Sequence, residues 1–159
     1  DDFLKKVKQR CEEVGALLIL DEIQPGFGRT GKLFAYEHFG IIPDILVIGK
    51  GMAGGLPVGA FVASEKLMDS LSDNPKMGHI TTFGGNPLIA ASALATLEEI
   101  TSTSLIEETL EKEKVNAKNS RASPIPNVFF IEVFNLNFEY IAIIKSNINV
   151  NSELIRIVM

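Results

Sequence analysis

Apolar positions in the opening segment recur at helical spacing. Leu4, Val7, Cys11 and Val14 fall at i, i+3, i+7 and i+10, one stripe of an α-helical period. Lys5, Lys6, Lys8, Gln9 and Arg10 fill the intervening positions, and Gly15 is placed to stop the helix. The pattern then changes to a continuous aliphatic run, Ala16 to Leu20, too short for a helix and bounded by Gly15 and Asp21. Such a run predicts a strand buried on both faces, the kind found in parallel sheets. Pro25, Gly26, Gly28 and Gly31 force a loop. A short helical stretch around Phe34 to Phe39 follows, with Gly40 and Pro43 as breakers.

Ile45 to Ile48 predicts a second buried strand, ending at Gly49 and Lys50. A glycine loop from Gly51 to Gly55 leads to a third apolar run, Val58 to Ala63, after which Ser64 can cap a helix from Glu65 to about Leu71. Pro87 suits the first turn of a long helix reaching about Ile100. Strands alternating with helices predict an α/β fold, a mostly parallel sheet with crossover helices. Ligands of such sheets bind beyond the carboxyl ends of the strands, which is where Asp21 and Lys50 stand.

The chain changes character near Val115. All thirteen glycines lie at or before Gly85, whereas the segment 115–159 holds eight asparagines and eight isoleucines. Val128 to Val133 and Tyr140 to Ile144 read as further strands, although their turns lack glycine. This divides the chain into residues 1–114 and a tail, 115–159. The tail is either a differently composed subdomain or a foreign extension, and its composition favours the second.

Composition narrows the class. Of 159 residues 46% are hydrophobic and 22% charged, ordinary globular usage that argues against wholesale disorder. Fifteen basic against twenty acidic residues leave a net charge of -5, which disfavours nucleic acid and anionic membranes as partners. No apolar run approaches the length of a membrane span, and no charged-then-apolar signal peptide opens the chain. The lone Cys11 excludes an internal disulfide framework and suits a reducing compartment, so a cytoplasmic protein is expected, an organelle matrix being the alternative. With only His38 and His79 and no cysteine cluster, no metal site is expected.

Two residues carry candidate chemistry. Lys50 ends a buried strand between Gly49 and Gly51, so a ligand can approach its amine closely. Partial burial there would lower its pKa and free the amine for Schiff-base chemistry. A solvated lysine at a loop start is the plainer reading. Asp21 ends the neighbouring strand and should face the same crevice, so carboxylate and amine could hold a heteroaromatic ring between them. Loop capping is the plainer reading for Asp21 and Glu22, and Glu22 is expected to play that part. Gly26-Phe27-Gly28-Arg29-Thr30-Gly31 spells the dinucleotide fingerprint G-x-G-x-x-G, but Asp21 to Pro25 separate it from the strand it should follow. The next strand also ends in Gly49-Lys50 where the fingerprint needs an acid. Gly49-Lys50-Gly51 lacks the following Ser or Thr of a phosphate-binding P-loop.

Taken together these residues resemble a known family. The stretch Leu17 to Ser64, with Asp-Glu-Ile-Gln, Gly-Phe-Gly-Arg-Thr-Gly, Pro43-Asp44 before a strand, and Gly49-Lys50 before a glycine-rich segment, is similar to the signature region of class III, pyridoxal-phosphate-dependent aminotransferases. His79 to Pro87 and the Ala-rich helix after them continue the likeness, which runs from about Ala16 to Ile100. The resemblance implies part of the large domain of the pyridoxal-phosphate-dependent transferase fold, fold type I. It implies transfer of an amino group from an ornithine, acetylornithine or 4-aminobutyrate type donor to a 2-oxo acid.

The resemblance also implies roles. Lys50 matches the lysine that bonds the cofactor aldehyde and later shuttles a proton, and Asp21 the carboxylate paired with the pyridine nitrogen. Gln24 matches the residue that hydrogen-bonds the ring hydroxyl, Ile23 the aliphatic packed on the ring face, and Thr82 the threonine that reaches the cofactor phosphate of the other subunit of a homodimer. Family subunits are more than twice this length, with an upstream phosphate loop and a downstream arginine for the substrate carboxylate. Arg121 and Arg156 stand in no family-like context and are assigned no role. A truncated remnant that folds or dimerises without turnover is the alternative expectation.

Overall fold

A computed structural model of the chain describes residues 2–73, 81–119, 128–136 and 139–147. His79, Arg121 and Arg156 lie outside the described residues. Among the described residues, four helices, α1 (Phe3–Val14), α2 (Glu65–Asp73), α3 (Pro87–Ser102) and α4 (Leu105–Asn119), accompany five strands. The strands are β1 (Leu17–Asp21), β2 (Ile45–Gly49), β3 (Gly59–Ala63), β4 (Val128–Leu136) and β5 (Glu139–Asn147).

The apolar stripe of α1 does what its spacing predicts. Leu4 and Cys11 are buried against Leu18, Leu20, Leu46 and Ile48, and the helix stops at Gly15, whose left-handed backbone (φ 71°) turns the chain into β1. Leu18, Ile19 and Leu20 in β1 and Leu46, Val47 and Ile48 in β2 are buried, as two-sided aliphatic strands require. Asp44 anchors the start of this layer. Its carboxylate accepts from Lys8 Nζ (2.9 and 3.0 Å) and from the Leu18 backbone N–H (2.7 Å), while its own N–H donates to the Leu18 carbonyl (2.9 Å).

The strand order is β3-β2-β1-β5-β4. β1 pairs in parallel with β2 and with β5, whereas β2–β3 and β4–β5 are antiparallel, so the sheet is small and mixed. The reason lies in connection length. Only residues 50–58 join β2 to β3, too few for the crossover a parallel neighbour needs. β3 is therefore an exposed edge, with Phe61 and Val62 largely open to solvent. The third apolar run is a strand as expected, mostly exposed, with Ala60 packed against the buried core. α3 carries Pro87 in its first turn, and Asn86 caps it by accepting from the Leu88 (3.0 Å) and Ile89 (3.4 Å) backbone N–H groups. Among the described residues no helix is long and apolar enough to cross a membrane.

Candidate active site

The parallel pairing of β1 and β2 sets Asp21 opposite Val47, so both strands end on the same side of the sheet. The chain leaves β2 at Gly49 and rises immediately into a tight turn, Lys50–Ala53. Lys50 adopts a left-handed backbone (φ 43°), and its Nζ donates to Gln24 Oε1, which lies in the loop after β1. The sequence thus places an amine and an amide from two strand tips in contact. Ile23 lies alongside: its Cγ2 stands 3.6 Å from where a Cβ on Gly49 would be, and it packs against Ile19 and Val47.

Asp21 is half-buried, and its Oδ1 accepts from the Ile23 backbone N–H at 2.9 Å. This local bond fixes the turn and is the capping contact its sequence position suggests, while the carboxylate stays at the strand tip. Lys50 departs from expectation in one respect: its side chain is exposed rather than partly buried. The turn lifts it past the sheet edge, beyond the cover of the packed layer. Thr82 is not brought to this cluster by any described contact. It sits exposed in the turn before α3, and among the described residues its side chain makes no hydrogen bond.

Glu22 is the buried polar residue beneath the site, 3% exposed. Its carboxylate accepts from the backbone N–H of Ala35 (3.0 Å) and Tyr36 (2.8 Å), its N–H donates to Val47 O (2.8 Å), and its carbonyl accepts from Gly26 N–H (3.0 Å). Burial pushes its pKa up, and the two backbone donors oppose that rise. Glu22 plays the structural part expected of it, tying the turn 22–26 to the segment 34–36. The loop Gly26–Gly31 makes no phosphate cradle. Ile106 and Leu110 of α4 close over Gly28 and Gly31, and His38 Nε2 bonds the Thr30 carbonyl at 3.0 Å. From the other side, Ser92 Oγ on α3 donates to the Ala53 carbonyl (3.0 Å), pinning the turn that carries Lys50. The Ser92 contact had no signal in the sequence beyond a Ser at a helical position.

The family described as Aminotransferase class-III matches residues 1–121. A putrescine aminotransferase from Pectobacterium atrosepticum is 53% identical over 109 residues, which are 68% of this chain and 23% of that protein. An acetylornithine aminotransferase from Caldanaerobacter subterraneus is 47% identical over 113 residues, 71% of this chain and 28% of that protein. Among solved structures, taurine:2-oxoglutarate aminotransferase from Bifidobacterium kashiwanohense, in complex with PLP and glutamate, superposes with a TM-score of 0.66 at 28% identity, covering 74% of this chain and 26% of that one. The chain therefore spans about a quarter of the length of the curated relatives it matches.

Proposed function

The chain belongs to the class III aminotransferase family, and from that premise we propose that it contributes the ring-holding half of a pyridoxal-phosphate site that moves an amino group from an amino donor to a 2-oxo acid. The observation that carries this reading is the contact of Lys50 Nζ with Gln24 Oε1 across two adjacent strand tips, with the Asp21 carboxylate and the Ile23 side chain on the same loop. That donor set fits the group: an amine, a carboxylate, an amide and an apolar face are what an aldehyde-bearing pyridine ring needs.

When bound, the cofactor supplies an aldehyde for covalent capture of an amine and a ring that accepts electrons from the substrate carbon. The protein's residues supply the rest. Lys50 would hold the cofactor at its aldehyde end through its amine and would move a proton at Nζ. Asp21 holds a proton on the ring nitrogen, which keeps the ring electron-poor. Gln24, now bonded to Lys50, would bond the ring hydroxyl. Ile23 presses on one face and excludes water there. Thr82, with no partner of its own among the described residues, serves the phosphate of a neighbouring copy in a homodimer. The donor is a diamine or ω-amino acid of the ornithine, acetylornithine, putrescine or 4-aminobutyrate type, supported by the names of the two relatives. Residues 115–159 are read as a divergent tail on the change in composition near Val115, and the family match reaches past that point to residue 121.

Borohydride fixing of pyridoxal phosphate to the purified chain, followed by peptide mapping, tests the assignment. The mass should appear on Lys50, vanish in Lys50→Ala and persist in Lys5→Ala and Lys32→Ala. A label on another lysine would overturn it. One further reading is a chain that holds the ring without turnover. Adding putrescine or acetylornithine to the loaded chain separates the two, since only a working site converts the cofactor faster than free pyridoxal phosphate reacts.

A further inference from the structure

The loop Gly26–Gly31 binds no phosphate in this reading and has no role yet. Its aromatic residue supplies one. Among the described residues, Phe27 (φ 56°) and Lys50 (φ 43°) are the two non-glycine positions with a left-handed backbone. A bulky side chain in that conformation persists only where its surroundings over-determine it. Phe27 stands against the residue that follows Lys50. A Cβ placed on Gly51, the residue after Lys50, would stand 3.3 Å from Phe27 Cβ and 3.7 Å from its Cγ.

Phe27 is itself held from behind. Its ring packs edge-on against Phe34 (5.6 Å between centroids, 71° between planes), and Phe34 stacks on Tyr36 at 6.0 Å. The backbone of Ala35 and Tyr36 is fixed in turn by the Glu22 carboxylate. On the far side of the lysine turn, Ser92 Oγ holds the Ala53 carbonyl, and Gly54 N–H donates to Gly51 O (3.4 Å). The turn 50–53 is therefore clamped between an aromatic stack and α3, and its freedom to relax is closed at Gly51.

We propose that Phe27 is a positioning residue for Lys50: by filling the space against Gly51 it holds the lysine in its left-handed conformation, aimed at Gln24 and the strand tips. It touches neither substrate nor cofactor. The glycine at position 51 is required because Phe27 stands against it, and the strained backbone of Phe27 is what brings its Cβ there. The inference rests on the reading of Lys50 as the cofactor-bearing lysine, and deepens it.

The test uses the full 159-residue chain with Phe27→Ala, Phe27→Leu, Gly51→Ala, the double variant Phe27→Ala/Gly51→Ala and a Lys32→Ala control. Two quantities are followed: the pyridoxal phosphate concentration giving half-maximal borohydride label on Lys50, and amide hydrogen exchange across residues 49–54 compared with β1. Phe27→Ala and Gly51→Ala should each raise the half-labelling concentration about tenfold, the scale of releasing one strained backbone position. Exchange should accelerate across 49–54 while β1 stays protected. Phe27→Leu keeps a side chain against Gly51 and should recover most of the label. The double variant should be no worse than the poorer single, because both changes act on one contact. A folded Phe27→Ala or Gly51→Ala chain with wild-type labelling overturns the proposal. If Phe27→Ala fails to fold, Phe27→Leu and Gly51→Ala decide on the same criteria. If the wild-type chain takes no label on Lys50, the cofactor reading falls. Exchange then decides alone, and unchanged protection across 49–54 in Phe27→Ala overturns the positioning role.

Discussion

Glu22 carries a carboxylate into the layer beneath the strand tips, and two backbone N–H groups meet it there. Truncation to alanine would strand both donors in a buried place. Each orphaned donor costs about 1–3 kcal/mol, so Glu22→Ala should lower unfolding stability by roughly 2–6 kcal/mol, read from chemical denaturation. The pH dependence has a definite sign. Burial holds the folded-state pKa above its unfolded value, so Glu22 contributes most where it is protonated, below the unfolded pKa, and that contribution is lost as pH rises through the raised folded pKa. The stability difference between wild type and Glu22→Gln, measured from about pH 4 to about pH 7, should therefore shift against the wild type as pH rises. A flat difference would mean that the carboxylate titrates as it does in the unfolded chain. Adjacent acids illustrate how far single residues were legible. Asp21 and Glu22 share one dipeptide, and the alternation of a strand sends one to the tip and the other inward. The sequence order alone suggested capping for both, and only the position of Ala35 and Tyr36 reveals which one reaches a distant backbone.

Elements were legible where one physical rule dominated. The helical stripe of α1, the aliphatic runs of β1 and β2 and the Pro87 start of α3 each follow from local periodicity or a single stop signal. The direction of β3 followed from counting: nine residues between strands exclude a crossover, a constraint that the apolar pattern itself does not contain. α4 escaped the reading because Glu107, Glu108, Glu111 and Lys112 hide a sparse apolar face. Ser104-Leu105-Ile106-Glu107 spells the S-x-x-E start signal that could have disclosed it. Asp44 is the joint at which α1, β1 and β2 meet. Burial pulls the Lys8 pKa down, yet the Asp44 and Glu12 carboxylates together more than offset it, and the net direction is up. Asp44→Asn keeps the shape but removes the charge between Lys8 and the Leu18 N–H. It should cost about 1–3 kcal/mol, measurable as a lower denaturant midpoint with an unchanged slope.

At the scale of the molecule, Lys50, Asp21, Ile23 and Gln24 converge because parallel strands deliver their carboxyl ends to one side, a property any reader of the pattern can use. Thr82 has no described contact with them, and no local rule specifies a neighbour's site. If it serves a second copy, the two chains are complementary. Mixing Lys50→Ala chains with Thr82→Val chains should restore wild-type label to Lys50 of the Thr82→Val partner, because that partner borrows an intact threonine. Absence of restoration, with both variants dimeric by sedimentation, assigns Thr82 to its own subunit or to none. One feature of the surface governs how such mixtures behave in a cuvette. Phe61 and Val62 on the β3 edge, Phe83, and Leu88 and Leu94 on α3 all stand open to water, on a chain whose net charge is -5. In dilute buffer the shared negative charge keeps copies apart over a distance of about 30 Å at 0.01 M salt. At 1 M that range contracts to about 3 Å, and the greasy edge is no longer guarded. Light scattering should therefore show the osmotic second virial coefficient falling from positive to negative as sodium chloride is added, a colloid losing its electrostatic coat while its fold is unchanged.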